Sequence, residues 1–431
     1  MNNIGEHRTS NGKLNALRKA VALDWLNDEL PLAGFIDIEG VKQTISQLKA
    51  SFPSHFHHHF AVKANSIHGV LKLLCEQGIG AEVASPGELA QALKAGFAKT
   101  DIVFDEPAKS FKVIEQAITS GVNLNIDNFQ EFDLVCDLVN KHKPDGNFGF
   151  RINPQIGAGS IEAMSTATKT SKFGVPLADP GVREKIISAY KAHPWLNAIH
   201  SHVGSQGCPL PLMAKGIEEV VNLVEEINDQ IGHQQVKHIN IGGGLTVNFK
   251  GEEVTPTFKA YSDVLAERVP ALFSGKYRII TEFGRTIMAK NGFFAAKVEY
   301  AKISGGRRIA ITHGGSQIAA RTTFMPDAWP LRITAHDASG DIKNSRPVMQ
   351  DIAGPCCFAG DLLASERMLP ELARHDLIMV HETGAYYFSN PFYYNSLPAP
   401  PVYGFECEGD STVLTVIREG QTIEQMMSVI G

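Results

Sequence analysis

His59-Phe60-Ala61-Val62-Lys63-Ala64-Asn65-Ser66, or HFAVKANS, ends an apolar run on a lysine and contains the first of eight similar runs. Between residues 58 and 284, short β-rich runs alternate with longer amphipathic segments that end at glycine, such as PGELAQALKAGF. This alternation predicts βα units around a parallel sheet. The runs are 60–63, 81–84, 102–104, 123–126, 148–152, 198–203, 238–241 and 278–282. Eight units indicate a (β/α)₈ barrel, although alternation alone also allows an open doubly wound sheet.

The pattern of the sequence changes after Arg285. The segments GFFAAKVEYAKI (292–303), RRIAITHGG (307–315), HDLIMVHETGAYYF (375–388) and STVLTVIREG (411–420) predict strands separated by polar turns, as in an antiparallel β domain. A chain of 431 residues also exceeds the roughly 250 to 300 residues at which a single hydrophobic core stops growing. We therefore expect two domains.

Composition argues against several classes of protein. The formal net charge is -6 and Lys and Arg do not cluster, so nucleic acid is not an expected partner. No run of about 18 apolar residues predicts a membrane span. The first residues lack the apolar core of a signal peptide, which predicts a cytoplasmic protein. The six cysteines show no C-x-x-C spacing, so neither a zinc site nor a redox pair is expected.

The histidine-rich stretch HFHHH at 55–59 is the one segment that suggests a metal ion. Its alternating positions point to opposite faces of a strand, and no acidic residue or thiol lies close in sequence. We therefore predict no metal site there.

In a barrel of this type the working residues lie at the C-terminal ends of the strands. The residues that end the runs are Lys63, Glu82, Arg151, His202, the glycines at 242–244, and Glu282 with Arg285. Lys63 alone suits two interpretations. It could snorkel from a strand end, or it could be a Schiff-base lysine whose pKa is lowered by burial so that the amine attacks a carbonyl.

Three glycines follow a strand in INIGGGLTVNF (239–249). Glycine lets the backbone approach an anion, and amide groups there can cradle a phosphate, although such a turn is also often only a tight loop. The spacing is not the dinucleotide fingerprint G-x-G-x-x-G. A lysine for an aldehyde together with a phosphate cup predicts pyridoxal 5'-phosphate as the cofactor.

Three further sites can be interpreted in two ways. Glu282 could keep the cofactor's pyridine nitrogen protonated, which makes the ring an electron sink, or it could form a surface pair with Arg285. His202 could stack on the ring or be a core histidine. Adjacent cysteines in GPCCFAGDLL (354–363) are usually small buried residues, but a thiol near the cofactor could protonate a carbanion.

An ordered set of motifs resembles the fold type III pyridoxal-phosphate decarboxylases, which include the diaminopimelate and ornithine decarboxylases. The motifs are FAVKAN, GAEVASPGEL, FRINP, TSKFGV, HSHVGSQ, INIGGGL, EFGR, GPCCFAGD, TGAYYF and YYNS. The resemblance implies an alanine racemase-like barrel at 36–284 and a β domain built from both chain ends, 1–35 and 285–431. It also implies an amino-acid substrate and a homodimer with active sites shared across the interface.

By this resemblance Lys63 holds the cofactor's aldehyde, Glu282 pairs with the pyridine nitrogen and His202 stacks on the ring. The phosphate would be surrounded by Ser205, Gly242, Gly243, Gly244, Arg285 and Tyr386. Glu82 stands where the family commonly has Asp, and Arg151 is its expected partner. Cys357 and Asp361 would reach the active site of the other subunit. There Cys357 would protonate the carbanion left when the substrate's Cα carboxylate departs as CO₂.

The positions expected to contact substrate depart from the family pattern. An acidic residue typically follows the catalytic cysteine and meets a distal amine, whereas Phe358 follows Cys357, and an apolar ring cannot neutralise an ammonium group. The family's aspartate-glycine strand corresponds to THGGSQIAARTTF (312–324), with His313 at the acidic position and Arg321 following. This favours an anionic distal group. The sequence therefore predicts a citrate-conjugated diamino acid of siderophore assembly as substrate, with meso-diaminopimelate in lysine synthesis as the alternative.

Two other classes share part of the pattern. A racemase of the alanine racemase type typically places Arg against the ring nitrogen and a catalytic Tyr in the β domain, and Glu282 and Cys357 argue against it. A non-enzymatic pyridoxal-phosphate carrier would need neither the β domain nor the cysteine loop. We therefore expect a pyridoxal-phosphate-dependent carboxy-lyase.

Overall fold

The structure, a computed structural model, describes residues 4–160, 166–408 and 411–431. Its α-helices are α1 (Ile4–Ala22), α2 (Ile38–Ser51), α3 (His68–Glu76), α4 (Pro86–Ala95), α5 (Phe111–Ser120), α6 (Phe129–His142), α7 (Val182–Ala192), α8 (Leu210–Ile231), α9 (Phe258–Arg268), α10 (Arg285–Met288), α11 (Ser316–Phe324) and α12 (Ile423–Ile430). Its strands are β1 (Leu32–Asp37), β2 (Phe56–Ala61), β3 (Gly80–Val83), β4 (Ile102–Phe104), β5 (Asn123–Ile126), β6 (Phe148–Asn153), β7 (Val175–Pro176), β8 (Leu196–His200), β9 (His238–Asn240), β10 (Arg278–Phe283), β11 (Gly292–Ser304), β12 (Arg307–Thr312), β13 (Ile333–His336), β14 (Pro347–Ala353), β15 (Leu362–Pro370), β16 (Leu377–Val380), β17 (Val402–Glu408) and β18 (Ser411–Arg418).

The chain divides into two compact units. The barrel unit comprises Ile45–Val247 and Thr255–Thr286, and the β unit comprises the described residues up to Thr44, Asn248–Val254 and Ile287–Gly431. The sequence placed the barrel at 36–284. The segment Asn248–Val254 falls inside that predicted range, yet it clusters with the β unit.

Eight strands of the barrel unit form a closed parallel sheet. Their order is β2, β3, β4, β5, β6, β8, β9, β10 and back to β2. The pairing of β5 with β6 closes the sheet, and β7 adds a short edge to β6. Strands β3 to β6 are buried along their whole length, as expected where helices cover one face and side chains fill the other. The predicted barrel is confirmed and the open sheet is excluded.

Helices α4, α5 and α8 end at glycine, as the sequence predicts. In α4 the Ser85 hydroxyl accepts a hydrogen bond from the Glu88 amide at 3.1 Å, and the helix ends at Gly96 with φ +102°. Helix α8 ends at Gly232 with φ +82°. Glycine adopts this left-handed conformation without a Cβ clash, so it terminates the helix and turns the chain towards the next strand.

Two predicted strand ends are wrong, and both concern functional residues. The run predicted at 60–63 is a strand only as far as Ala61, because the ladders to β10 and β3 end at Phe60 and Ala61. Lys63 lies in the short 3₁₀ turn Val62–Ala64. The run predicted at 198–203 likewise ends at His200, so His202 lies in the loop beyond β8.

The β unit contains a mainly antiparallel sheet. Its order is β15, β14, β12, β11, β1, β17 and β18, and β16 pairs with both β11 and β13. The pairs β1–β17 and β12–β14 are parallel. Strand β1 lies between β11 and β17, so the N-terminal part of the chain completes this sheet. Its Phe35 stacks on Phe293 with ring centroids 4.6 Å apart, in a core that also includes α1.

The segment THGGSQIAARTTF is a strand only as far as Thr312 and then forms α11. The reason is a contact with a residue distant in sequence. Asp361 accepts hydrogen bonds from the Ser316 amide at 2.6 Å and from its hydroxyl at 2.8 Å, and a carboxylate there stabilises a helix N-terminus. Arg321 therefore lies on a helix and not on a strand.

The cytoplasmic location and the absence of a metal site in HFHHH remain predictions. Among the described residues, no helix is long and apolar enough to cross a membrane, and the predicted cytoplasmic location is not tested by this finding. In the stretch HFHHH, His58 Nδ1 lies 2.8 Å from the Thr281 hydroxyl on β10, which gives one of these histidines a structural contact.

Candidate active site

Lys63 and Glu82 form an ion pair at the C-terminal ends of β2 and β3. Lys63 Nζ donates to Glu82 Oε1 at 3.0 Å and to Oε2 at 2.9 Å. The Lys63 side chain is 41% exposed, whereas Glu82 is fully buried. Burial raises the pKa of Glu82 to about 8; the Lys63 charge opposes this shift, while Glu282 adds to it. The amine is therefore accessible to solvent and its counter-ion is not.

Arg151 on β6 pairs with Asp105, which directly follows β4. Both side chains are buried, and the guanidinium lies 4.4 Å from the ring centroid of Phe173. Burial acts to raise the pKa of Asp105, but Arg151 and His200 bring it below its ordinary value. The predicted partner of Arg151 was Glu82. The structure corrects this, because Asp105 reaches the guanidinium from the neighbouring strand and Glu82 is paired with Lys63.

Glu282 on β10 is buried among polar groups from two other strands. Its Oε1 accepts a hydrogen bond from Asn240 Nδ2 on β9 at 2.6 Å, and its Oε2 lies 3.4 Å from His200 Nε2 on β8. Burial acts to raise the pKa of Glu282, but the neighbouring His200 lowers it well below its ordinary value. Glu282 is therefore a carboxylate held in one orientation.

His202 and the three glycines meet in the loops beyond β8 and β9. His202 Nδ1 accepts a hydrogen bond from the Gly243 amide at 3.2 Å and lies 3.9 Å from Glu282 Oε2. Burial lowers the pKa of His202. Because Nδ1 acts as an acceptor, the ring is the neutral form with its proton on Nε2.

The glycine loop leaves no room for side chains. A Cβ on Gly243 would lie 2.1 Å from the Glu282 carbonyl oxygen, and one on Gly244 would lie 2.1 Å from the Gly204 carbonyl oxygen and 3.4 Å from the Ser205 amide nitrogen. Across the described residues, the Gly244 and Ser205 amides donate to no acceptor within the chain. Two amide donors, one from the loop after β8 and one from the glycine loop after β9, fit a phosphate group.

Arg285 begins α10, one residue beyond the end of β10, and is buried. This predicted phosphate ligand lies in the barrel unit with the glycine loop. Tyr386, the other predicted phosphate ligand outside the loop, lies in the β unit and has a left-handed backbone with φ +70°. Its predicted contact with the phosphate stays a prediction.

The two adjacent cysteines have different environments. Cys356 is buried, its Sγ lies 3.9 Å from Gln317 Oε1, and burial raises the pKa of its thiol to about 11. Cys357 is exposed, and its amide donates to Asn395 Oδ1 at 2.7 Å. Asp361 Oδ2 accepts from the Cys356 amide at 2.6 Å, so Asp361 anchors this loop. Its predicted contact with substrate is not tested.

The predicted substrate residues of the β unit occupy two environments. Phe358 stacks on Phe324 with centroids 5.5 Å apart, and Phe324 is 60% exposed. His313 Nε2 lies 3.2 Å from Glu299 Oε2, and Arg374 donates to the other oxygen of Glu299 at 3.0 Å. The hydrogen bonds from His313 and Arg374 lower the pKa of Glu299. His313 is thus already paired with an acid.

Arg321 is held between two aromatic rings. Its guanidinium carbon lies 4.4 Å from the ring centroid of Tyr386 and 4.7 Å from that of Trp329. Its Nη1 is buried and has no hydrogen-bond partner among the described residues. An uncompensated guanidinium donor suits an anionic group.

Sequence analysis missed Asp105, His200 and Asn240. Each lies at the end of a barrel strand or directly after it, where the rule for barrel active sites would have selected it. His200 and Asn240 belong to the motifs HSHVGSQ and INIGGGL, but neither motif gave them a role, and Asp105 lies outside the quoted motifs. The contacts of these residues join strands that are far apart in sequence.

At the C-terminal ends of the barrel strands, an accessible lysine amine, a buried ionised Glu282 and a glycine loop without room for side chains fit pyridoxal phosphate. They define a barrel enzyme of the pyridoxal-phosphate-dependent class. The pyridoxal binding domain of the pyridoxal-dependent decarboxylases matches residues 38–289. The chain belongs to the pyridoxal-dependent decarboxylase family, and it is a carboxy-lyase that uses pyridoxal phosphate.

Named relatives agree with this assignment. The chain is 31% identical over 340 residues to the diaminopimelate decarboxylase of Aquifex aeolicus, which covers 79% of this chain and 78% of the relative. It is 29% identical over 394 residues to that of Helicobacter pylori strain J99, covering 90% and 93%. The crystal structure of diaminopimelate decarboxylase from Helicobacter pylori complexed with L-lysine superposes with a TM-score of 0.81 at 26% identity, covering 93% of this chain and 96% of that one.

Proposed function

We propose that this enzyme decarboxylates meso-diaminopimelate to lysine. The single observation that carries the proposal is the similarity to relatives named diaminopimelate decarboxylase over most of both chains. It replaces the citrate-conjugated substrate that the sequence alone favoured. Arg321 supports diaminopimelate over L-ornithine, because its buried Nη1 suits a second carboxylate, which L-ornithine lacks and the citrate conjugate also has.

The residues of the barrel unit would bind the cofactor at three of its groups. Lys63 would hold the cofactor's aldehyde and give way to the substrate amine. Glu282 would hold the proton on the pyridine nitrogen, and the loop of Gly244 and Ser205 would bind the phosphate. Bound pyridoxal phosphate supplies the electron sink for the pair of electrons released when the Cα–carboxylate bond breaks and CO₂ leaves.

Cys357 would complete the reaction from a second copy of the chain, as a homodimer with shared active sites. Its exposed thiol would give the proton that forms the new C–H bond at the substrate's Cα, and the thiolate would then take a proton from water. The exposed ring of Phe324 beside Phe358 supports burial of this loop against another protein surface.

A citrate-conjugated diamino acid is the second candidate substrate. The observation that favours it is the environment of Phe358, which is aromatic and offers no charge to the distal ammonium of diaminopimelate. Glu299 is already engaged by His313 and Arg374, so it does not readily replace the missing acid.

Substrate competition tests the choice. Purified enzyme would be given meso-diaminopimelate, L-ornithine or a citryl-diaminopropionate conjugate, and CO₂ and the amine product would be measured. We expect the highest kcat/KM for meso-diaminopimelate. The Lys63→Ala variant should release no CO₂ from any of the three substrates. A higher kcat/KM for the conjugate would reject the proposed substrate in favour of the second candidate.

Mixing two inactive variants tests the shared site. Lys63→Ala and Cys357→Ala should each be nearly inactive alone, and random reassociation into dimers should restore about a quarter of the wild-type sites, since each mixed dimer has one complete site. Cys356→Ala is the matched control and should stay active. No recovery on mixing, with dimers present by light scattering, would contradict the shared site.

A further inference from the structure

His200 lies at the end of β8 between two carboxylates, and neither the mechanism above nor the sequence motifs gave it a role. It is fully buried. Its Nε2 lies 3.4 Å from Glu282 Oε2 on one side, and its Nδ1 lies 3.7 Å from Asp105 Oδ1 on the other. Neither ring nitrogen makes a hydrogen bond of good geometry among the described residues. Asp105 and Glu282 are the carboxylates recorded within 4.0 Å of these nitrogens in the described part of the chain.

This arrangement distinguishes the protonation states of the ring. A neutral imidazole has one N–H and one lone pair, so one of its nitrogens would direct a lone pair at a carboxylate. Only the imidazolium presents a hydrogen to both Asp105 and Glu282. Burial of a lone pair against an anion is costly, and the geometry therefore favours the charged ring.

The charges around His200 lead to the same conclusion. Two carboxylates, Asp105 and Glu282, flank the His200 ring, and one cation, Arg151, pairs with Asp105. The Lys63–Glu82 pair is matched within itself. One negative charge is therefore in excess. The nearby Lys109–Glu131 pair, 2.9 Å apart, is matched within itself and does not supply the missing positive charge.

The other histidines near Glu282 do not supply it either. His202 uses Nδ1 as an acceptor for the Gly243 amide, and burial lowers its pKa. His59, the register neighbour of Glu282 on β2, is buried, and burial lowers its pKa to about 4. His200 is the histidine whose two sides both face carboxylates.

We propose that His200 is an imidazolium that keeps Glu282 ionised and thereby keeps the cofactor's pyridine nitrogen protonated. His200 is a positioning residue, since it acts through Glu282 and touches neither substrate nor cofactor in this role. The inference rests on the proposed pairing of Glu282 with the pyridine nitrogen.

Asn240 fixes the position of the Glu282 side chain independently of His200. Asn240 Nδ2 holds Oε1 at 2.6 Å, and Asn240 Oδ1 is itself fixed by the Gly242 amide at 2.9 Å. Loss of the His200 charge would leave the hydrogen bond from Asn240 in place. Burial would then favour the protonated form of Glu282. A protonated Glu282 cannot hold a second proton on the pyridine nitrogen, so the effect would be electrostatic.

The charge of His200 can be measured directly in the holoenzyme. With ¹⁵N-labelled histidine, the resonances that disappear in His200→Gln identify the ring. We expect both of its ring nitrogens to carry protons in the folded holoenzyme at neutral pH. A single protonated nitrogen at neutral pH would overturn the proposal.

The consequence for the cofactor is tested with pyridoxal phosphate labelled with ¹⁵N in the ring. His200→Gln should lower the apparent pKa of the bound ring nitrogen by about one to three units, the effect of removing one adjacent charge. His200→Lys should restore it. His58→Gln, another buried barrel histidine, is the matched control and should leave the ring nitrogen unchanged.

Glu282→Gln separates this inference from the pairing on which it rests. If Glu282→Gln lowers the pKa of the ring nitrogen and His200→Gln does not, the role of His200 is wrong and the pairing stands. If neither variant changes it, both are wrong. The release of CO₂ from meso-diaminopimelate by the wild-type enzyme tests the proposed substrate. Its result does not depend on the ring-nitrogen measurements of the two variants.

Discussion

Lys63 Nζ donates to both carboxylate oxygens of Glu82, at 2.9 and 3.0 Å, and so joins an accessible amine to a fully buried acid. Burial raises the pKa of Glu82 to about 8. An ammonium group cannot attack an aldehyde until it loses a proton, and Glu82 is a base within hydrogen-bond reach whose pKa lies close to neutral pH. The pair therefore prepares Lys63 to bind the cofactor.

Glu82→Gln should slow covalent uptake of pyridoxal phosphate by the apoenzyme by about 10²-fold, because an amide cannot accept the Lys63 proton. Stopped-flow absorbance after mixing apoenzyme and cofactor measures the rate. Glu225→Gln is the matched control, since Glu225 pairs with Lys276 at 2.6 Å on the surface of the same unit. An uptake rate equal to that of the wild type would remove Glu82 from this step.

Arg151→Met should destabilise the protein by about 3–5 kcal/mol, because it leaves the Asp105 carboxylate buried without its guanidinium. Asp105→Asn in the same chain should recover much of this loss, since the uncompensated charge is then removed. Urea denaturation of the two single variants and the double variant measures the coupling.

The control for this cycle is Arg183→Met. Arg183 pairs with Glu226 at 2.7 Å where both side chains are about one-third exposed, so the cost should stay within about 1 kcal/mol. Additive effects of Arg151→Met and Asp105→Asn would show that the buried pair is not coupled.

Gly243→Ala should weaken pyridoxal phosphate binding at least tenfold and destabilise the protein by about 1–3 kcal/mol. The new Cβ would lie 2.1 Å from the Glu282 carbonyl oxygen, so backbone must move in the phosphate loop. Gly87→Ala is the control, because its Cβ would meet only Ser85 Oγ at 3.7 Å. Cofactor titration and thermal unfolding measure both effects, and equal behaviour of the two variants would contradict the crowding argument.

Acid should destabilise the barrel through His58, which is buried and whose pKa burial lowers to about 3. Below the ordinary histidine pKa of 6.5, His58 binds a proton in the unfolded chain but not in the native state. The free energy of unfolding therefore falls as the pH falls from about 6.5 towards 3. Between pH 7 and 5 this one group should cost about 2 kcal/mol. His58→Gln should remove that part of the pH dependence.

Thr281→Val is the control for His58, because it removes the same hydrogen bond but no titrating group. It should lower stability at both pH values and keep the wild-type pH dependence. Urea denaturation at pH 5 and pH 7 measures the difference, and an unchanged slope in His58→Gln would contradict the assignment.

The sequence by itself determined the repeating architecture and the cofactor. Apolar periodicity and terminal glycines are local signals, since a strand buried on both faces and a helix ended at a left-handed residue constrain only their own residues. Lys63, Glu282 and the three glycines could be selected because barrel active sites lie at strand ends. The ordered motifs added the family.

Only the tertiary structure decided how those residues are paired. Asp105 pairs with Arg151, Glu82 pairs with Lys63, and His200 lies between two carboxylates. These contacts form because closure and register of the barrel bring together strand ends separated by tens of residues. The contrast between buried Cys356 and exposed Cys357 likewise depends on which backbone groups Asp361 and Asn395 hold. Contacts of this kind depend on three-dimensional register, and one-dimensional spacing does not encode it.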